Sequence, residues 1–136
     1  MDINSTQSRT NRDLGYLIVR VSTALGAIPL EDATVNIRGT TKEGSGILYS
    51  LLSDRDGLTS RVSLPTPPRE DALTPSGVLP YSSWNVEVFK QGYIPAKFLN
   101  VPVYSSTVSV QPAILVPLGE KIQPGEIYNE SSGPSL

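Results

Sequence analysis

The chain has 136 residues, 38% of them hydrophobic, and a net charge of −2, which is long enough for one domain with its own core and no covalent staples. It contains no cysteine and no histidine, so a disulfide framework, thiolate chemistry, and the commonest general base and transition-metal ligand are all excluded. Eleven lysines and arginines are spread along the sequence, so the electrostatic footprint of a nucleic-acid binder is missing.

Residues 1–13 are polar, with Ile3 the only large aliphatic after Met1, and read as a disordered leader. Met1-Asp2-Ile3-Asn4 has neither the positive start nor the apolar run of a signal peptide, and no segment approaches the ~20 apolar residues of a membrane span. The expectation is a chain that stays in the cytoplasm where it is made, unless a partner or a non-classical route carries it on.

Gly15 to Ala24 is the first predicted strand. Leu17, Val19 and Val21 share one face, and Ile18, Arg20 and Ser22 the other. Residues 25–32 are a turn punctuated by Gly26 and Pro29. The second strand, Ala33 to Ile37, turns Ala33, Val35 and Ile37 inward, and residues 38–46 are a glycine-rich flexible loop. Ile47 to Ser53 is the third strand. Asp54-Arg55-Asp56-Gly57 resembles a fragment of a calcium loop, but the rest of that pattern and its last-position glutamate are missing. A hairpin turn, with Asp-Gly supplying the left-handed conformation, is the better reading.

Leu58 to Leu64 is the fourth strand, and Trp84 to Lys90 the fifth. Between them lies a proline-rich insert, opened by Pro65, Pro67 and Pro68 and closed by Pro80 and Tyr81. Ile94 to Leu99 follows the Gly92-Tyr93 turn. Val101-Pro102-Val103-Tyr104 is an edge segment, because proline cannot donate to a central ladder. Thr107 to Leu118 is the last strand, with Val108, Val110, Ile114 and Val116 on one parity, and with Pro112 marking a bulge or an edge. From residue 119 the chain is a polar tail. No stretch shows a convincing 3.6-residue period. About seven short strands with Gly/Pro/Asp turns predict an all-β antiparallel sandwich over residues 14–118.

Three segments carry a family resemblance. Ile28-Pro-Leu-Glu-Asp-Ala-Thr-Val35 resembles the opening of carboxypeptidase-regulatory, or prealbumin-like (transthyretin-like), β-sandwiches. Ser53-Asp-Arg-Asp-Gly57 with Val62-Ser-Leu-Pro65, and Trp84-Asn-Val-Glu-Val with Gly92-Tyr93, are similar to the second and third elements of that family, in the same order. The brackets of the proline-rich insert, Leu64 to Pro68 and Pro80 to Trp84, are similar to the N-terminal non-catalytic region of clostridial spore cortex-lytic germination enzymes. Val101 to Tyr104 and Ser109 to Pro112 add to that likeness. The resemblance implies a non-catalytic module of a Firmicutes-like bacterium, associated with the spore or cell envelope. The chain departs from hydroxyisourate hydrolases of the same fold, which use histidines and a C-terminal Tyr-Arg-Gly-Ser. It also lacks the lysine and asparagine of isopeptide-forming adhesin domains, having Arg20 and Gln111 in the corresponding strands and Val88 about where their glutamate falls.

Asp32, Asp54, Asp56, Asp71 and Glu87 are scattered over turns and strands, and the serines have no histidine base, so no catalytic residue, cofactor or metal ligand is assigned. Trp84 shares a face with Val86 and Val88 and reads as core. Tyr81 is either a contact residue or local packing. The proline-rich insert is either a contact surface, since extended proline segments bind at low entropic cost, or a cover over a sheet edge. The expected function is a non-enzymatic module binding a protein partner through Pro65, Pro67, Pro68, Pro80 and Tyr81. The alternative is a peptidoglycan-binding module that stacks sugar on Tyr81.

Overall fold

The structure, a computed structural model, describes residues 13–40, 46–68 and 80–121. The predicted leader up to Arg12, the centre of the glycine-rich loop, residues 69–79 of the insert and the tail from residue 122 lie outside them. Eight strands form two four-stranded sheets: β1 (Asp13–Thr23), β2 (Ile28–Pro29), β3 (Thr34–Gly39), β4 (Ile47–Leu52), β5 (Val62–Thr66), β6 (Tyr81–Phe89), β7 (Ala96–Tyr104) and β8 (Val108–Ile114). A single helical turn, α1 (Leu118–Lys121), follows. The predicted all-β sandwich is what forms.

The second sheet runs β4-β3-β6-β7, all antiparallel. In the first sheet β1 is central. β2 and β5 pair with its two ends along one side, and β8 lies along the other. The β1–β8 pair is parallel, with Ile18 opposite Val110, which departs from the uniformly antiparallel expectation. Local alternation specifies which face a strand buries but not the direction of a partner some ninety positions away.

The core forms where the two inner faces meet. Leu17, Val19 and Val21 from β1, Ala33, Val35 and Ile37 around β3, Leu64 from β5, and Val86 and Val88 from β6 have no exposed surface. Each large aliphatic buried in this way contributes about 1.5–3 kcal/mol of transfer free energy. The period-two pattern read from the sequence locates this set correctly on β1, β3 and β6. Trp84 is half-buried at the margin of the core rather than inside it, and its indole N–H donates to Ser82 Oγ at 2.8 Å.

Several boundaries differ from expectation, among them the starts of β1 at Asp13, a residue of the predicted leader, and of β6 at Tyr81 rather than Trp84. Asp54 to Gly57 does turn, with Gly57 at φ +82° and the Asp54 carboxylate accepting the N–H groups of Asp56 and Leu58 at 2.9 Å each. It does not close a hairpin, because β4 belongs to one sheet and β5 to the other. Serine and threonine hydroxyls fasten the crossing. Ser53 Oγ accepts from Ala33 N–H and donates to the Leu30 carbonyl, and Thr59 Oγ1 accepts from Val19 N–H. Residues 58–61 therefore form only one bridge, Leu58 to Arg20, and the fourth strand starts at Val62. It then runs past Leu64, so Pro65 and Thr66 are strand residues rather than the opening of the insert; Pro65 lies opposite Leu14. This is tolerated because β5 is an edge strand.

The two segments predicted after Tyr93 are one strand, β7. Asn100, at φ 58°, sits inside it, and Asn85 Oδ1 accepts the Asn100 N–H at 3.0 Å, beside a register shift in β6. β7 is an edge strand, as Pro102 implied. The last strand ends at Ile114 rather than Leu118, and the shared parity of Val108, Val110 and Ile114 faces outward, while Ala113 and Leu115 point into the core.

Candidate binding surface at one end of the sandwich

One end of the sandwich collects the start of β1, the end of β5, the start of β6 and the turn between β7 and β8. The registers bring these together: Asp13 is opposite Thr66, and Tyr81 is opposite Tyr104. The turn joins the sheets. Ser105 Oγ donates to Asp13 Oδ2 at 2.6 Å, Ser106 N–H donates to the Leu14 carbonyl at 2.8 Å, and Thr107 Oγ1 donates to the Ser105 carbonyl at 3.0 Å. Ser106 adopts φ 56° to make this reversal. Gly15 sits beneath it, in a place where a Cβ would collide with the Tyr104 carbonyl oxygen and lie 2.6 Å from Val103 Cγ1. The end of the sandwich is thus cross-tied by side-chain hydrogen bonds and by a close backbone approach.

Tyr81 and Tyr104 crown this frame. Their ring centroids are 5.5 Å apart with planes tilted by 50°, and Tyr81 remains 48% exposed. Tilted aromatic pairs of this kind hold each other in place while leaving apolar surface and a phenol hydroxyl for a partner. Pro80, directly before Tyr81, and Pro67 and Pro68, directly after β5, are half-buried. Thr66, buried, donates its hydroxyl to the Pro67 carbonyl at 3.2 Å and so ties the outgoing chain.

Of the five residues singled out in the sequence, Pro67, Pro68, Pro80 and Tyr81 border the insert at this end. Pro65 is set apart, in the ladder of β5. Tyr104, Asp13 and Ser105 carry no motif. Tyr104 is detectable only as the aromatic that ends an edge segment, and the other two as ordinary polar residues. Two of the carboxylates considered in the sequence, Glu87 and Asp54, are engaged elsewhere, and Asp71 lies outside the described residues. Glu87 lies on the outer face of the second sheet between Arg38, at 3.1 Å, and Lys97, at 3.8 Å. Asp54 caps its own turn. Among the described residues no group of three or more carboxylates is placed to hold a metal ion, and no helix is long and apolar enough to cross a membrane.

No family model and no curated protein matches the chain. Among solved structures, the Bacillus anthracis TIE protein is similar over 77% of this chain and 17% of its own, with 11% identity and a TM-score of 0.49. Chlorocatechol 1,2-dioxygenase from Pseudomonas putida is similar over 76% of this chain and 60% of its own, with 15% identity and a TM-score of 0.47. For 3-chlorocatechol 1,2-dioxygenase from Rhodococcus opacus 1CP the corresponding values are 78%, 61%, 12% and 0.44. The chain spans less than two thirds of the length of each of them. Likenesses at this level assign no activity.

Proposed function

We propose that the chain is a non-enzymatic binding or scaffolding module that works through protein–protein contact at the Tyr81 end of the sandwich. The observation that carries this reading is the exposed Tyr81 ring, backed by Tyr104 on a cross-tied frame, with Pro80 directly before it in the chain. Rigid aromatics with few rotatable bonds are the side chains that most often dominate protein interfaces. The engagement of Glu87, Asp54 and Asp13 in structural bonds supports a non-catalytic role. The sandwich, together with the order of the three sequence elements, supports a prealbumin-like assignment. The spore or cell-envelope setting rests on the resemblance of the insert brackets alone.

Peptidoglycan binding is the second reading, favoured by the exposure of Tyr81. Against it stands the 50° tilt of the two rings, which makes a wedge rather than the flat platform on which a sugar stacks. The discriminating experiment is affinity capture from lysate with the full chain and with a version whose residues 69–79 are replaced by a Gly/Ser linker, alongside co-sedimentation with purified peptidoglycan. The protein-contact reading expects a protein captured by the first bait and lost with the second. Sedimentation of both versions with the wall, and no difference in captured protein, would favour the carbohydrate reading.

A further inference from the structure

The outer face of the β1–β8 pair is apolar. Its rows are Leu14, Tyr16 and Ile18 on β1 and Val108, Val110 and Ile114 on β8, with Tyr16 beside Val108 and Ile18 beside Val110. Leu14, Val108, Val110 and Ile114 are 49%, 45%, 47% and 46% exposed. β8 turns its β-branched residues outward and Ser109 and Gln111 to the other side, the reverse of a strand whose outer face meets water. Here the inner face is core, while the outer rows from Leu14 to Ile18 and from Val108 to Val110 stay partly exposed.

The free edge of β8 is not where a partner strand would add. Thr107 C=O accepts from Tyr16 N–H, and Leu115 N–H donates to Ser22 C=O, so the odd-numbered residues turn their backbone groups toward β1. The even-numbered residues face the open edge, and among them Pro112 has no N–H to offer. A proline at this position blunts strand addition and leaves the face, rather than the edge, as the surface to be covered.

We propose that a second copy of this chain packs on this face, sheet against sheet, in a two-fold dimer. The area fits. The exposed apolar side chains of the face amount to roughly 400–500 Å², within the roughly 300–600 Å² of the largest patch on a typical monomer, which is often functional. In an interface about 60% apolar this corresponds to roughly 750 Å² per copy, the size of a standard stable interface. A net charge of −2 sets up little repulsion between copies. The face carries Arg20, which is exposed, and Arg61, whose guanidinium lies 4.6 Å from the centroid of the Tyr16 ring. Both have aliphatic stems that can line a contact while the charged head reaches water. This surface is distinct from the Tyr81 end, so the dimer would present two such ends.

The test is sedimentation velocity of the full chain from about 1 μM to about 1 mM, a range that brackets the affinities of modest interfaces. The expected result is a reversible shift from monomer to dimer mass. Val110→Lys combined with Ile114→Lys, at positions already half in water, should weaken dimerisation by roughly 100-fold or more, whereas Leu48→Lys with Leu52→Lys on β4 should leave it unchanged. A wild-type chain that stays monomeric throughout, or a β8 variant that dimerises like the wild type, overturns the proposal. Should the double variant fail to fold, Val110→Cys supplies a lone thiol in a chain without cysteine. Its maleimide labelling should slow as protein concentration rises, and labelling independent of concentration likewise overturns the proposal.

Discussion

Gly15 and Ser53 show how single residues hold the two sheets together. Gly15 lets the Tyr104 carbonyl approach β1. Gly15→Ala forces the β7–β8 turn outward, and overpacking of this kind costs about 1–3 kcal/mol. Urea denaturation should show that loss, and a wild-type midpoint would mean that the turn yields freely. Ser53 is 2% exposed, and its hydroxyl satisfies both the Ala33 N–H and the Leu30 carbonyl, at 2.9 and 2.7 Å. Ser53→Ala orphans both groups, with an expected destabilisation of about 2–3 kcal/mol. Ser53→Thr should recover part of it in the same assay, because it restores a hydroxyl. Neither role is legible in the sequence: a glycine in a strand and a serine before a turn have many uses, and their partners lie far along the chain.

At the scale of elements, the strands legible in the sequence were those with a strict apolar alternation. Leu17, Val19 and Val21 announce β1, and Ala33, Val35 and Ile37 announce β3. Elements fixed by long-range contact were not legible. Asp-Gly at residues 56–57 has hairpin chemistry, yet Ser53 and Thr59 direct the chain across to the other sheet. Asn100 has turn chemistry, yet the Asn85 side chain binds its N–H and keeps β7 continuous as a bulged strand. The outward row of β8 was visible as a parity, but only pairing with β1 decides which side it faces. Pro112 at the open edge leads to a further prediction. Pro112→Thr returns an N–H to an edge strand that carries no charge between Val108 and Ile114, so light scattering at elevated temperature should show faster aggregation than in the wild type. Equal rates would show that the proline does not guard the edge.

At the scale of the whole molecule, the sandwich separates its surfaces. The core lies between the sheets, Glu87 with its two cations sits on the outer face of one, and the apolar row lies on the outer face of the other. The Tyr81–Tyr104 pair occupies one end. Tyr81 beside a proline-rich insert was legible as a candidate contact. Its backing by Tyr104 and by the Asp13–Ser105 tie was not, because both depend on register. Contact between Tyr81 and a protein is what the proposed function most directly requires. The measurement is isotope-quantified affinity capture with the wild-type chain and with Tyr81→Ala side by side, after thermal unfolding has shown that the half-exposed substitution leaves the fold intact. Loss of a central aromatic anchor removes at least about 2 kcal/mol of binding, or more than tenfold in affinity. At least one protein should therefore be depleted to that extent from the Tyr81→Ala capture. Indistinguishable protein profiles from the two baits would contradict the proposed function.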